Sequence, residues 1–311
     1  MQSSEMIGLM VVLLAVGTVG GVQVLLAVDF AMEKLKRRRP GKAMRLLRIP
    51  WTCLSIIGLG CVAYAHWVEP FRFETTHHTI RTDALPDGAF LRILQLTDLH
   101  LEGEGPATEY IAQTVAKEQP DVIALTGDYL NDFVDGKQAF EKLLARLKPT
   151  IEMDAVVGNY DGFDPRSVNA DVITLCGFAR SIDVRGGKHV NVFGIQITDA
   201  ADFTKAYRSA PRGDFNVVLY HTPEMIDVAA ACGADLFLCG HTHGGQVRVP
   251  LYGAVVTLSD TGKKYEAGRY KVGKMIAYVC RGIGNEGGNV PRLRFLCRPE
   301  IAVFDIVGTG D

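Results

Sequence analysis

The segment LRILQLTDLH, residues 91–100, is a short apolar run that ends in polar residues. Runs of this length without helical spacing predict buried β-strands. Other runs of the same kind are DVIALTGD (121–128), DAVVGNYD (154–161), NVVLYH (216–221) and DLFLCGHTH (235–243). Helix-like segments lie between them, near 107–118, 137–147, 165–176 and 223–231. Strands that alternate with helices predict a layered α/β domain.

The predicted domain extends over residues 90–311. Further strands are expected at 190–197, 246–249, 275–280 and 301–306. The length of this segment, about 220 residues, is suitable for one domain. The preceding segment, 69–89, is polar and contains Pro70, Pro86 and Gly88. We interpret it as a connector with one short strand at most.

Two long runs near the N-terminus, 6–28 and 49–68, contain no Asp, Glu, Lys or Arg. A helix of about 20 residues crosses a hydrocarbon layer of roughly 30 Å. Aromatic residues lie near both ends of the second run, as is common at membrane interfaces. We therefore predict a transmembrane hairpin over residues 1–68. A buried core helix, or a signal peptide for the first run, is the alternative, although a signal peptide has its basic residues before the apolar stretch.

The net charge of −2 combines two unlike parts of the chain. Residues 1–68 carry eight basic and three acidic residues, and all eight basic residues lie within 34–48, between the apolar runs. This asymmetry predicts a cytoplasmic loop in a two-pass protein of the cell (inner) membrane, with the following domain outside the cytoplasm. The loop can also contact anionic membrane lipids. The acidic remainder argues against nucleic acid as a partner.

Potential metal ligands follow the predicted strands. Because the carboxyl ends of strands meet at one edge of an α/β sheet, these residues are expected to lie together. Histidine mixed with carboxylate suits Mn, Fe or Zn. So many ligands exceed the needs of one tetrahedral ion and suit two ions that share a carboxylate. The residues are Asp98, His100, Asp128, Asn159, His221, His241 and His243.

The ordered blocks Asp-x-His, Gly-Asp, Gly-Asn-x-Asp, a lone His and Gly-His-x-His resemble the calcineurin-like metallophosphoesterase superfamily, over roughly 90–307. Segments 281–284 and 299–301 resemble its membrane-associated branch, which contains YkuE- and YaeI-type phosphodiesterases and the chlamydial-type UDP-2,3-diacylglucosamine pyrophosphatase. The resemblance implies a two-sheet β-sandwich flanked by helices, here preceded by the transmembrane hairpin. It also implies a metal-dependent hydrolase that acts on phosphoric ester or pyrophosphate bonds.

The resemblance further assigns roles to individual residues. The first of two divalent ions, with Mn favoured over Fe and Zn, would bind Asp98, His100, Asp128 and His243. The second would bind Asp128, Asn159, His221 and His241, so that Asp128 bridges them and a metal-bound hydroxide attacks phosphorus. Catalytic roles fall to Asp128, Tyr160 and His241. Arg281 and Asn285, with Arg292 and Arg294, either grip a phosphate or head group or belong to a solvated loop.

One position departs from the pattern of this family. The usual block is Gly-Asn-His-Asp, but this chain has Tyr160 in place of the histidine. A tyrosine, with an ordinary pKa near 10, is a poor proton shuttle at neutral pH. Metal binding is expected to survive the change, and substrates with good leaving groups, such as a pyrophosphate linkage, need proton donation least.

Three interpretations of function stay open. The first is a membrane-anchored phosphoesterase that hydrolyses a phosphodiester, pyrophosphate or phosphomonoester, with a lipid-linked substrate as one candidate. The second is a UDP-2,3-diacylglucosamine pyrophosphatase of lipid A synthesis, which requires a cytoplasmic domain. The third is a catalytically impaired binding module. Each polar residue alone could be a cap or a turn residue, but the complete set of ligand types disfavours the third interpretation.

Overall fold

The computed structural model describes residues 3–36, 42–147, 151–169, 171–286 and 292–310. Its helices are α1 (Ser3–Lys36), α2 (Lys42–Trp67), α3 (Pro106–Glu118), α4 (Asp135–Leu147), α5 (Ala200–Ser209) and α6 (Ile226–Ala231). Its strands are β1 (Glu74–Pro86), β2 (Phe90–Leu96), β3 (Val122–Leu125), β4 (Glu152–Ala155), β5 (Val172–Thr174), β6 (Phe178–Val184), β7 (Lys188–Gly194), β8 (Phe215–Leu219), β9 (Leu236–Cys239), β10 (Arg248–Val249), β11 (Gly253–Ala254), β12 (Gly268–Val272), β13 (Met275–Val279) and β14 (Glu300–Gly310).

Two six-stranded mixed sheets form the body of the protein, in the orders β1-β14-β2-β3-β4-β5 and β12-β13-β9-β8-β7-β6. In the first sheet β2, β3, β4 and β5 are parallel, and β14 is antiparallel to β2. In the second sheet β13, β9, β8 and β7 are parallel, with antiparallel strands at both edges. The parallel interior strands point their carboxyl ends to one edge of each sheet.

The sheets face each other across an apolar core, and helices cover their outer faces. Alternation along β2 shows the arrangement, since Leu91 and Ile93 pack between the sheets while Leu94 and Leu96 pack towards α3 and α4. Helices α5 and α6 cover the second sheet in the same way. Strands buried on both faces read as continuous apolar runs, which explains why the interior strands were visible in the sequence. The predicted pair of sheets flanked by helices is confirmed.

The N-terminal apolar runs lie in α1 and α2. Within the described residues, one helical stretch is long and apolar enough to cross a membrane, Arg48–Phe71, of which 6% is buried. The side chains of residues 6–9 and 11–16 in the first run, and residues 37–41 of the predicted basic loop, lie outside the described part of the chain. The two-pass hairpin therefore stays a prediction.

Several elements differ from those expected. Segment 69–89 is not a simple connector, because β1 pairs with β14 along most of its length. The helix expected at 165–176 is wrong, since the chain forms a 3-10 turn, Pro165–Ser167, and then β5. Strands β6 and β12 and helix α5 were not expected. The strands missed from the two six-stranded sheets are β1, β5, β6 and β12, and they lie at the sheet edges, where one side is open and a polar sequence is tolerated.

Candidate metal centre

The loops at the carboxyl ends of five strands bring the predicted ligands together. They follow β2, β3 and β4 in the first sheet and β8 and β9 in the second, so both sheets contribute to one site. Two groups of side chains have ligand atoms that all lie within 4.8 Å of one another. One consists of Asp98, His100 and His243, and the other of Asp128, His221 and His241. The remaining predicted ligand, Asn159, has its Oδ1 2.9 Å from His221 Nε2.

The distances within these groups suit shared ions. Two atoms that each lie about 2.1 Å from one ion, at right angles, are about 3 Å apart. His100 Nε2 lies 3.1 Å from His243 Nε2, and His221 Nε2 lies 3.2 Å from Asp128 Oδ2. The same Asp128 oxygen is 3.8 Å from His100 Nε2. Asp128 thus faces a histidine of each group, which is the position a bridging carboxylate requires.

Hydrogen bonds at the far side of two imidazole rings turn the Nε2 of each ring towards the other predicted ligands. His100 Nδ1 is 2.7 Å from the Oδ1 of Asn131, and the amide nitrogen of Asn131 donates to the Asn285 carbonyl. His221 Nδ1 is 2.8 Å from the Thr126 carbonyl. Because these oxygens only accept, each Nδ1 carries a proton, so Nε2 is the nitrogen that would bind an ion.

The two buried carboxylates of the site need positive charge close to them. Asp98 and Asp128 are 0% and 2% exposed, and the ion-pair contacts shown for them are with histidines. Burial raises the pKa of Asp98 to about 7. Burial lowers the pKa of His221, but the hydrogen bond and charge of Asp128 outweigh it and raise this pKa to about 9. Buried negative charge needs a compensating cation, so this donor set fits two divalent ions.

The backbone conformation of the loops directs the ligand side chains towards the site. Five of them have a left-handed backbone with positive φ: Asp98 (50°), His100 (44°), Asp128 (56°), His241 (70°) and His243 (48°). This conformation is uncommon for residues other than glycine, and such strain concentrates at functional sites. Glycines give the carboxylates room, since a Cβ at Gly158 would collide with Asp128 and one at Gly240 with Asp98.

Asp161 is a positioning residue of the site. Its carboxylate accepts backbone N–H groups of Asp128, Tyr129 and Gly158, each at 2.8 Å. These bonds join the loops after β3 and β4. The sequence block Gly-Asn-x-Asp contained this residue, but nothing local in it indicated the bonds to the neighbouring loop.

The predicted catalytic residues Tyr160 and His241 lie at the open side of the site. Tyr160 is 53% exposed, and its hydroxyl donates to Glu286 Oε1 over 2.6 Å. This hydrogen bond, then burial, raises the pKa of Tyr160 to about 12. Glu286, which no motif predicted, also has its Oε2 3.8 Å from His243 Nε2. His241 is half-buried, and its Nε2 lies 3.3 Å from the Leu258 carbonyl.

The predicted substrate residues have other partners. Arg281 forms ion pairs with Glu74 and Glu300, so a role in holding phosphate has no support from this geometry. Asn285 Oδ1 accepts from Arg294 Nε at 2.7 Å. Arg294 is 0% exposed and also donates to backbone carbonyls of the loop 281–284. It therefore fixes the loop that carries Asn285.

The fold and the site define a metal-dependent hydrolase with a two-ion centre. Residues 91–245 match the family described as calcineurin-like phosphoesterase. The uncharacterized metallophosphoesterase YkuE of Bacillus subtilis is 30% identical over 293 residues, which cover 90% of this chain and 100% of YkuE. The phosphodiesterase YaeI of Escherichia coli is 31% identical over 279 residues, 82% of this chain and 96% of YaeI.

A third relative is the UDP-2,3-diacylglucosamine pyrophosphatase LpxG of Chlamydia muridarum, 22% identical over 69% of this chain and 83% of LpxG. The chain belongs to the calcineurin-like metallophosphoesterase family. It is a metal-dependent hydrolase of phosphoester bonds. The predicted family is confirmed, whereas the roles of individual ligands stay predictions.

Proposed function

We propose that this chain is a membrane-anchored phosphodiesterase whose two ions are held by the seven predicted ligands. The position of Asp128 between His100 and His221 is the observation that carries the proposal. Two bound divalent ions supply Lewis acidity to the phosphoryl oxygens and acidify a water. Manganese is favoured because the donor set mixes imidazole with oxygen ligands.

The side chains of this protein prepare the site for that chemistry. Asn131 and the Thr126 carbonyl hold the protons of His100 and His221 away from the centre. Asp161 fixes the two loops that present Asp128 and Asn159. His241, the more open of the histidines in its group, is placed to contact a substrate oxygen.

The open side of the site favours diesters and pyrophosphate linkages with good leaving groups. The Tyr160 hydroxyl already donates its proton to Glu286, so it is not free to protonate a poor leaving group. The Glu286 carboxylate also places negative charge beside His243. Like charges repel, so a dianionic monoester is disfavoured more than a monoanionic diester.

Anchoring rests on the apolar helices and on the basic loop 34–48, which orients the catalytic domain outside the cytoplasm. A lipid-linked substrate suits an enzyme held at a membrane. The similarity to LpxG supports a second candidate substrate, UDP-2,3-diacylglucosamine. That precursor is made on the cytoplasmic face, so the second candidate requires the opposite orientation. A C-terminal reporter that is active only in the cytoplasm would favour it.

The decisive experiment combines metal content with a substrate screen. The purified full chain is expected to bind two Mn²⁺ and to hydrolyse bis(4-nitrophenyl) phosphate faster than 4-nitrophenyl phosphate. Asp128→Asn should lose at least one ion and about a thousandfold or more in kcat, because it removes the charge shared by both groups. Less than one ion per wild-type chain, with no hydrolysis of any ester, would instead favour the binding-module interpretation.

A further inference from the structure

An open groove of about 560 Å³ lies next to the metal centre, between the end of α2 and the loop after β2. This volume is in the range of pockets that hold small organic ligands. His100 and Asn285 line the groove at the end nearest the metal centre. Trp67 and Phe71 line it at the end nearest α2. The groove thus extends from the end of the apolar helix to residues beside the metal centre.

The end of the groove near α2 carries large aromatic side chains beside polar groups, since His66 and Arg292 line it as well. Trp67 and Phe71 are 69% and 57% exposed, an unusual state for large aromatic side chains that lie close together. Phe73 and Leu101 continue the apolar lining. The charged groups of the groove include Glu102, which pairs with Arg292. A groove with exposed aromatic rings beside a polar metal centre matches a ligand with an apolar tail and a polar head.

Direct contacts fix the end of α2 to the catalytic domain, so the groove has a defined wall. The backbone N–H of Arg294 donates to the Ala65 carbonyl over 3.0 Å. The buried Glu69 accepts from the backbone N–H of Cys297. The Tyr64 and Phe295 rings meet edge to face with centroids 6.4 Å apart. Residue Phe71 also ends the stretch that is apolar enough to cross a membrane.

We propose that this groove binds the hydrocarbon chain of an amphipathic phosphodiester whose phosphate lies at the metal centre. The proposal rests on the proposed function, because the metal centre defines where the phosphate lies. An amphiphile whose tail is held in a bilayer would meet the end of the groove near α2 first. Its head group would then approach the metal centre without the whole molecule leaving the membrane surface.

The test compares two substrates with the same leaving group, butyl and dodecyl 4-nitrophenyl phosphate. In each reaction the oxygen of water bonds to phosphorus, the bond to 4-nitrophenolate breaks, and the alkyl phosphate remains. The full chain, in phosphatidylcholine nanodiscs with Mn²⁺, is expected to show a kcat/KM for the dodecyl ester about tenfold or more above that for the butyl ester.

Two variants and one control assign that preference to the groove. Phe71→Ser should lower the dodecyl-to-butyl ratio of kcat/KM about fivefold or more. Gly103→Leu should do the same by filling the groove, since a Cβ there meets no atom within 4 Å. The control is Phe133→Ser, which removes a ring that is 61% exposed outside the groove lining. Equal ratios in Phe71→Ser and Phe133→Ser would overturn the proposal.

A binding measurement separates this proposal from the proposed function. The chain has two tryptophans, so a Trp51→Phe background leaves the fluorescence of Trp67 alone. Dodecyl phosphate should shift this emission in a saturable manner, butyl phosphate should not, and Gly103→Leu should abolish the shift. If neither ester is hydrolysed but the shift occurs, the proposed function fails and the groove assignment stands. If hydrolysis occurs without a saturable shift or a chain-length preference, the groove assignment fails alone.

Discussion

Replacing Asn131 by alanine should weaken the metal centre without unfolding the protein. In the structure, Asn131 Oδ1 lies 2.7 Å from His100 Nδ1, and the His100 side chain is fully buried. Without this acceptor, a buried N–H has no partner, at a cost of about 1–3 kcal/mol. In the metal-free protein His100 can avoid that cost by moving its proton to Nε2, which lies 3.1 Å from His243 Nε2.

In the metal-bound protein the proton of His100 cannot move to Nε2, because the ion needs the lone pair on that nitrogen. The cost therefore falls on the metal-bound state. A cost of about 1.4–2.7 kcal/mol corresponds to a 10–100-fold loss of metal affinity, which is the usual loss when the hydrogen-bond partner of a ligating histidine is removed. Titration calorimetry with Mn²⁺ should show this loss at one of two sites. The melting temperature of the metal-free variant should be close to that of the metal-free wild type.

Two further variants make the result specific. Asn131→Asp keeps an acceptor for Nδ1 and should recover most of the affinity. Asn169→Ala removes another half-buried asparagine, whose Oδ1 accepts a hydrogen bond from the Asp171 backbone, and should leave Mn²⁺ affinity unchanged. The reasoning is refuted if Asn131→Ala binds both ions as tightly as wild type, or if Asn131→Asp is no better than alanine.

Three other outcomes are expected. Tyr160→His should raise the rate of hydrolysis of monoesters with poor leaving groups by about tenfold or more, because a histidine donates protons near neutral pH. The rate for a pyrophosphate substrate should not change. Equal effects on both substrates would contradict this reasoning. Glu286→Gln should raise the monoester-to-diester ratio of kcat/KM by roughly 5–150-fold, which corresponds to about 1–3 kcal/mol of relieved charge repulsion. This ratio should then depend less on the salt concentration. Chelation of metal should lower the melting temperature by roughly 5–10 °C for each ion that is present at about 100 times its dissociation constant, measured by calorimetry with and without EDTA.

The sequence by itself determined the interior of both sheets and the kinds of ligand. Strands β2, β3, β8 and β9 are buried on both faces, so each reads as an apolar run that ends at a polar residue. The family blocks then named the residues at those ends. Edge strands gave no such signal, because a strand such as β1 is mostly half-buried and is held by pairing with β14, more than 200 residues away along the chain.

Only the tertiary structure decided what surrounds the ligands. Asn131 was not predicted to orient His100, nor Glu286 to bind Tyr160, because these contacts join loops from different strands. The same holds for Arg281, which looked free to bind phosphate but pairs with carboxylates of β1 and β14. The spacing of apolar residues in a short segment indicates which of its side chains are buried. Hydrogen bonds and ion pairs depend instead on which distant side chains the two sheets bring within about 3 Å of each other.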